Sequence, residues 1–545
     1  MRLPDPLSAL RRHGVEARLV ARLALPVVFT NLLQTLVNVA DVVMVGRLGP
    51  IEVAAVGMAQ MVRMLLMVGV LSVTTGAMVM AAQARGAYDD ARLSAVARQA
   101  LTLAVLFGAA LGTLGFLSAE PLLGFMSSGA SPEAVSLGTS YLRILFLGAP
   151  LMALTFSVTQ LMQGAGDTLT PLVLVGSINV LNVAFNALFI FGLGPFPALG
   201  VDGAAYGTVA ARAIGVVAGV WLLASGRNVV RLGRGSFLPY WPMVRTMVGI
   251  GVPAGTQGVL QNVSGLLVMR IVTSTSAGAY GAAAMSIGMQ VASLGFMPGV
   301  AVSVAATSLV GQALGAWRPD LARLRGNLSI VLGMAIMALP ALPMVAFAPQ
   351  IVRLFEPSAH PIVVEGGASF LRIHGSAQPL IAVTIVASGA LRGAGDTMAA
   401  LIAAVIGRAL LVVPLAYLLA LVLGFELAGV WWGLLIGVLL QGALVLHRWR
   451  GRGWLDVAVR TSELYRTHLR HLAPPERTRY LNEVRTPLMA PEGARERVEP
   501  EQVRYVSQGG DVVVRFADGS FTTERREHVT LPGEEMAERE PAASA

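Results

Sequence analysis

The sequence has no cysteine and no lysine, and only 13% of its 545 residues are charged. Without cysteine there are no disulfides, no thiolate chemistry and no cysteine-based zinc sites. The missing lysine reads as a coding-sequence bias, since all 40 basic residues are arginine. The shortage of charge is the most informative of these absences. An ordinary soluble domain is roughly one-quarter charged, so this chain requires an apolar solvent. What fills the sequence instead is 55% hydrophobic residues, with a mean hydropathy of +0.68.

Apolar runs recur through the first 450 positions. Many reach the roughly 20 residues that carry a helix across the hydrocarbon core. They do not alternate with period two, so a barrel is excluded. The runs divide as 22–45, 54–84, 93–117, 134–163, 168–192, 200–224, 243–275, 280–314, 321–347, 361–392, 397–421 and 426–447. The expected fold is an all-α membrane protein of twelve transmembrane helices. No cleavable signal peptide is expected, because the first run is too long and lacks a small-residue cleavage site.

A net charge of +9 raises the question of a nucleic-acid partner, but the distribution of arginine answers it. Arginine gathers on alternate connections: Arg11, Arg12 and Arg18 before the first span, Arg85, Arg92 and Arg98 after the second, Arg227, Arg231 and Arg234 after the sixth. The intervening connections hold only Arg47 and Arg353. This asymmetry predicts both termini in the cytoplasm of a multi-pass inner-membrane protein, with membrane lipids as neighbours and no nucleic acid.

An internal repeat organises the spans. Tyr141-Leu-Arg143, Pro150 and Gly164-Ala-Gly-Asp167-Thr168 recur as Phe370-Leu-Arg372, Pro379 and Gly393-Ala-Gly-Asp396-Thr397, at a constant spacing of 229 residues. Gln83 and Gly86 recur at that spacing as Gln312 and Gly315, while Pro26 and Gln34 recur at 227 as Pro253 and Gln261. Six helices therefore repeat as six, in parallel, a plan typical of transporters with a substrate path between the halves. The expected organisation is an N-terminal arm (1–21), an N-lobe (22–225), a linker (226–242) and a C-lobe (243–450).

The opening pattern Pro26, Gln34, Asp41, Val45-Gly46-Arg47-Leu48-Gly49-Pro50, together with the paired Gly-Ala-Gly-Asp-Thr segments, resembles the multidrug and toxic compound extrusion (MATE) family over residues 15–450. The resemblance implies a monomeric, non-enzymatic antiporter with two six-helix lobes. It would export amphipathic, cationic drugs or toxic metabolites in exchange for H⁺ or Na⁺, by alternating access. Within the family the chain looks DinF-like. Gln261 stands where the NorM-like branch carries an acid, and no acid lies between Gly366 and Arg392.

Asp41 is the one carboxylate within the apolar part of the spans. Burying such a charge costs roughly 2.5–3.5 kcal/mol on insertion scales and marks a functional group. It can exchange a proton or, with neutral oxygens around it, hold Na⁺. Asn182 and Asn186, four apart on one helical face, and Thr208 match positions that form a cation pocket with this Asp in DinF-like relatives. No other metal site is expected. Arg63 is the candidate counter-ion. Gln34, Met58, Met61, Gln261, Met285 and Met289 are candidates for the substrate cavity or its gating, methionine being adaptable to varied apolar ligands. Pro26 and Pro253 should kink the first helix of each lobe, and the resemblance implies that the first helix bends as its Asp changes protonation.

Beyond Arg450 the composition turns polar. A linker (451–500), a small β-meander (501–533) and a disordered end (534–545) are expected. The meander rests on alternating runs around Gly509-Gly510 and Asp518-Gly519. Two other functions fit parts of the pattern. Gly164-Ala-Gly-Asp167 matches an intramembrane aspartyl-protease motif, but its twin lies in the other lobe. A lipid-linked sugar or polysaccharide flippase shares the two-lobed plan and is the alternative function.

Overall fold

The structure, a computed structural model, describes residues 6–126, 131–451, 453–461, 500–506, 511–516 and 521–525. The N-lobe comprises α1 (Pro6–Gly46), α2 (Pro50–Gly86), α3 (Asp90–Met126), α4 (Pro132–Leu147), α5 (Ala149–Gly164), α6 (Leu169–Phe191) and α7 (Gly200–Ala224). The C-lobe comprises α8 (Trp241–Thr273), α9 (Gly278–Gly315), α10 (Pro319–Ala346), the short α11 (Ala348–Phe355), α12 (Pro361–Gly393), α13 (Thr397–Val422) and α14 (Glu426–Arg450). Proline in the first turn opens α2, α4, α8, α10 and α12, where its missing N–H costs no helical bond.

Among the described residues nine helices are long and apolar enough to cross a membrane, and eleven if two bent pairs are each joined. The glycine- and amide-rich α8 falls below that hydropathy and completes the twelve by its place in the repeat. Two expected spans are not single rods. Residues 134–163 break into α4 and α5 with a 50° bend at Gly148, where Pro150 removes a helical donor. The other pair is the two halves of α2, bent by 42° between Arg63 and Val68.

The repeat holds in backbone detail. Gly166 and Gly395 both take left-handed φ, 88° and 82°, and both Asp167 and Asp396 accept from the backbone N–H three residues on. Tyr88 and Trp317, again 229 apart, are both left-handed at φ 53° and 59°. Identical turns follow identical motifs, so the two halves are one fold used twice.

The lobes interlock at the arginine-rich end. Val20, Leu23 and Ala24 of α1 are buried among C-lobe residues such as Val302, Ala305 and Trp449. In mirror fashion, Met243, Met247 and Ile250 of α8 are buried in the N-lobe core. Between them α2 and α9 cross closely, because a Cβ on Gly86 would overlap the Gln312 carbonyl and one on Gly315 the Gln83 carbonyl.

Three boundaries differ from the expected ones. The arm (1–21) is helical from Pro6 as part of α1, and Glu16 pairs with Arg325 of α10 at 2.8 Å. Linker residues 226–240 are strapped along α3, with Gln99 bonding Leu238 O and Tyr240 N and Ser94 bonding Gly233 N. The expected linker 451–500 begins with a helix, α15 (Gly453–Thr461), whose Trp454 stacks on Trp449 at 4.8 Å and joins the C-lobe core. Apolar side chains on that helix make it part of the lobe; residues 462–499 and 526–545 lie outside the described residues. Strands β1 (Pro500–Val506), β2 (Asp511–Phe516) and β3 (Phe521–Arg525) form an antiparallel sheet in that order. The turns at Gly509-Gly510 and Asp518-Gly519 lie outside the described residues.

Candidate functional site

Asp41 sits near the end of α1 furthest from its C-lobe anchor and faces α6. Asn186 of α6 donates from Nδ2 to Asp41 Oδ1 at 2.8 Å and, more weakly, to Asn182 Oδ1 at 3.4 Å. Asn182 donates from Nδ2 to Thr208 Oγ1 at 3.0 Å, and that hydroxyl donates to the Ala204 carbonyl at 2.9 Å. The four residues singled out from the sequence thus form one chain of bonds across α1, α6 and α7. Gly207 permits it, since a Cβ there would overlap Asn186 Oδ1.

Asn186 Nδ2 uses both of its hydrogens in this chain, on Asp41 and on Asn182, whereas an acceptor of the same side chain is left over. Asn186 Oδ1 is buried and has no partner among the described residues. A buried acceptor without a donor costs about 1–3 kcal/mol. That oxygen is open to a hydrogen-bond donor or a small cation.

The electrostatic surroundings differ from the expected simple ion pair. Arg63 makes no ion pair with Asp41. Arg63 of α2 and Arg212 of α7 both act on the Asp41 charge and on Tyr141 of α4, which is 6% exposed. Among the described residues neither arginine makes a hydrogen bond or ion pair. Arg212 is thus a second cation in the site, beside Arg63. By contrast, Arg143 is paired with Glu120 at 3.1 Å and lies over the Phe116 ring.

Asn179 is a further residue that sequence reasoning missed. It lines a groove of about 640 Å³ between α1 and α6, walled by Leu33, Leu36, Val37, Ala40 and Val183. The residue is 5% exposed and its Nδ2 has no partner among the described residues. The signal was present: Asn179, Asn182 and Asn186 fall on one helical stripe.

The remaining candidates are scattered. Gln34 is exposed and donates to Asn38 at 3.4 Å, and Gln261 is exposed on α8. Met61 and Met289 are exposed, at 63% and 46%, while Met58 packs half-buried against the N-lobe core. Met285 is 3% exposed inside the C-lobe core, so its role is packing rather than cavity lining. Pro26 and Pro253 are buried within α1 and α8, and Thr30 Oγ1 donates to the Pro26 carbonyl at 2.9 Å. At the position that corresponds to Asp41, the C-lobe has the fully buried Val268.

The MatE family model matches residues 26–188 and 253–418, one match in each lobe. The chain belongs to the MatE family. MatE proteins are transporters and not enzymes. The chain is 32% identical over 449 residues to the multidrug resistance protein NorM of Burkholderia vietnamiensis, covering 81% of this chain and 94% of that one. It is 27% identical over 442 residues to the probable multidrug resistance protein NorM of Thermotoga maritima, with the same coverage. Among solved structures, a MOP superfamily transporter from Pyrococcus furiosus superposes with a TM-score of 0.75 at 24% identity, covering 82% of this chain and 96% of that one. The two-lobed architecture is thus that of the MatE transporters.

Proposed function

We propose that this MatE protein is a secondary antiporter of the inner membrane. It exports amphipathic, cationic drugs or toxic metabolites in exchange for a cation taken up at Asp41. The arginine-rich end faces the cytoplasm, and the monomer works by alternating access. The multidrug resistance names of the relatives support the cargo class, and Gln261 with the acid-free stretch of α12 supports the DinF-like branch.

One observation carries the coupling role: Asp41 ends a buried chain of amide and hydroxyl side chains, on a helix rooted in the other lobe. Val20, Leu23, Ala24 and the Glu16–Arg325 pair hold the first half of α1 to the C-lobe, while Asp41 ties the second half to α6 of the N-lobe. Pro26 lies between these two attachments. A change at Asp41 therefore bears on the angle between the lobes.

The donor set favours H⁺ as the coupling ion. A hard cation needs several oxygen ligands, and Asp41 is the one carboxylate in the bonded chain. A proton needs only the carboxylate. The groove beside Asn179 supplies an apolar bed for a cargo of drug size.

Ethidium efflux from vesicles tests this reading, with wild type and Asp41→Asn compared under an imposed proton gradient or an imposed Na⁺ gradient. Wild type should export dye under the proton gradient, and Asp41→Asn should not. Transport that follows Na⁺ alone would reject the ion. Folded, inserted wild type that moves no dye under either gradient would reject the cargo class in favour of a lipid-linked substrate.

A further inference from the structure

The motifs that reveal the repeat are not consumed by the Asp41 site. Gln83 and Gln312, with Gly164 and Gly393, lie instead where the lobes meet at the arginine-rich end. Were the repeat perfect, each glutamine would hold the opposite lobe in the same way. It does not.

Gln312 of α9 reaches out of the C-lobe and donates from Nε2 to the Gly164 carbonyl, the last residue of α5 in the N-lobe, at 3.1 Å. The same nitrogen donates to Ser308 Oγ at 3.0 Å, and that hydroxyl donates to the same carbonyl at 2.9 Å. Three bonds thus close a triangle on one orphan carbonyl at a helix end. Gly166 makes room for it, since a Cβ there would sit 2.9 Å from Gln312 Nε2.

The mirror position is unmade. Gln83 is 4% exposed, and its Nε2 has no partner among the described residues. Val79 occupies the place that corresponds to Ser308, so the hydroxyl that would complete a second triangle is missing. The twin loops are correspondingly held in different ways. Asp396 is tied within its own lobe by Arg448 at 2.7 Å, whereas Asp167, among the described residues, makes only its helix cap to Thr170 at 3.0 Å. The C-lobe loop is braced from inside, and the N-lobe loop is held from across the interface.

We propose that Gln312 and Ser308 are positioning residues of the transport cycle that form a one-sided latch on Gly164, holding the lobes closed at the arginine-rich end. Gln83 bears none of that load in this state. The proposal rests on alternating access but on neither the cargo nor the coupling ion. With the latch broken, the lobes would part at this end without the event at Asp41 that ordinarily accompanies it.

The absence of native cysteine makes the test direct. Asp90→Cys and Asp320→Cys place spin labels at exposed positions on opposite lobes, at this end. Electron-electron distance measurements in lipid vesicles then give the ratio of open to closed molecules. Gln312→Leu should raise that ratio roughly five- to tenfold, the effect of losing one or two hydrogen bonds. Ser308→Ala should raise it less, and it serves as the readout if Gln312→Leu fails to fold. Gln83→Leu should leave the ratio unchanged or lower it. Distributions that ignore both Gln312 and Ser308, or that respond equally to Gln83, would overturn the latch. A wild type with one distance under every gradient would overturn alternating access itself, and the latch with it.

Discussion

The two lobes share a backbone but have divided the work between them. The N-lobe keeps a polar interior, in which Asp41, Asn182, Asn186 and Thr208 form a bonded chain with Asn179 unpaired beside it. The C-lobe has Val268 in place of Asp41 and buries it completely. Its α13, the counterpart of α6, winds into two π-helical segments, Val405–Val412 and Leu418–Val422, where α6 is regular throughout. Such segments widen the helix and often accompany functional sites. The comparison teaches that duplication preserved the turns and the inter-lobe crossing, which both halves need. The bonded chain of buried polar side chains around Asp41 stands in one half, where the other has Val268.

The largest expected effect breaks this division outright. Asp41→Asn should reduce cation-driven efflux to background, and adding Val268→Asp should not restore it. Val268 is fully buried in an apolar cluster, so that substitution should also cost several kcal/mol. Efflux and thermal stability in detergent, measured together, separate the two contributions. Rescue by Val268→Asp would show that the lobes remain interchangeable.

A subtler break uses the two glycines that let the paired helices of each lobe touch. A Cβ on Gly207 would strike Asn186 Oδ1, and one on Gly433 would strike the Ala416 backbone nitrogen. Gly207→Ala and Gly433→Ala should each destabilise by about 1–3 kcal/mol. Only Gly207→Ala should also shift the pH dependence of efflux, because only it displaces a partner of Asp41.

Asn179→Leu should act on cargo rather than on coupling. Removing an unpartnered buried amide relieves a penalty of about 1–3 kcal/mol, so stability should rise while the half-saturating dye concentration changes several-fold and the ion dependence stays as in wild type. Arg408 of α13 stands 229 residues after Asn179, at the corresponding place, and equal effects of Asn179→Leu and Arg408→Leu would blur the distinction between the lobes. The smallest effect is expected at exposed methionines: Met61→Ala and Met289→Ala should each stay within about 0.5 kcal/mol of wild type, and a large loss of efflux in either would add it to the cargo path.

Much of this was legible in the sequence because the informative residues are rare in their setting. One carboxylate in an apolar span, two asparagines one helical turn apart and a repeated Gly-Ala-Gly-Asp-Thr each have few bland explanations, and the structure joins the first two directly. Met285 could not be sorted from Met289 in this way, since burial depends on which face of α9 meets α12, and glycine-rich helices carry no strong stripe to say so. The break at Gly148 was hidden because Pro379, at the matching position, leaves α12 continuous. Arg212 was hidden by its company, one among several membrane arginines, and only packing shows which of them share a space with Asp41. The π segments of α13 leave no compositional trace.

The helix α15 has a consequence for how this protein can be trimmed or joined to others. The family match in the second lobe ends at residue 418, yet Trp454, Leu455 and Ala458 lie far beyond it and are almost completely buried. The end of the family match and the end of the folding unit are therefore different places on the chain. A truncation or fusion made at Arg450 would strip Trp449 of its stacked neighbour and of the indole donor to its carbonyl. Whatever the tail is attached to is held against the same face where the lobes interlock, so a fusion partner belongs after Thr461 and not before it.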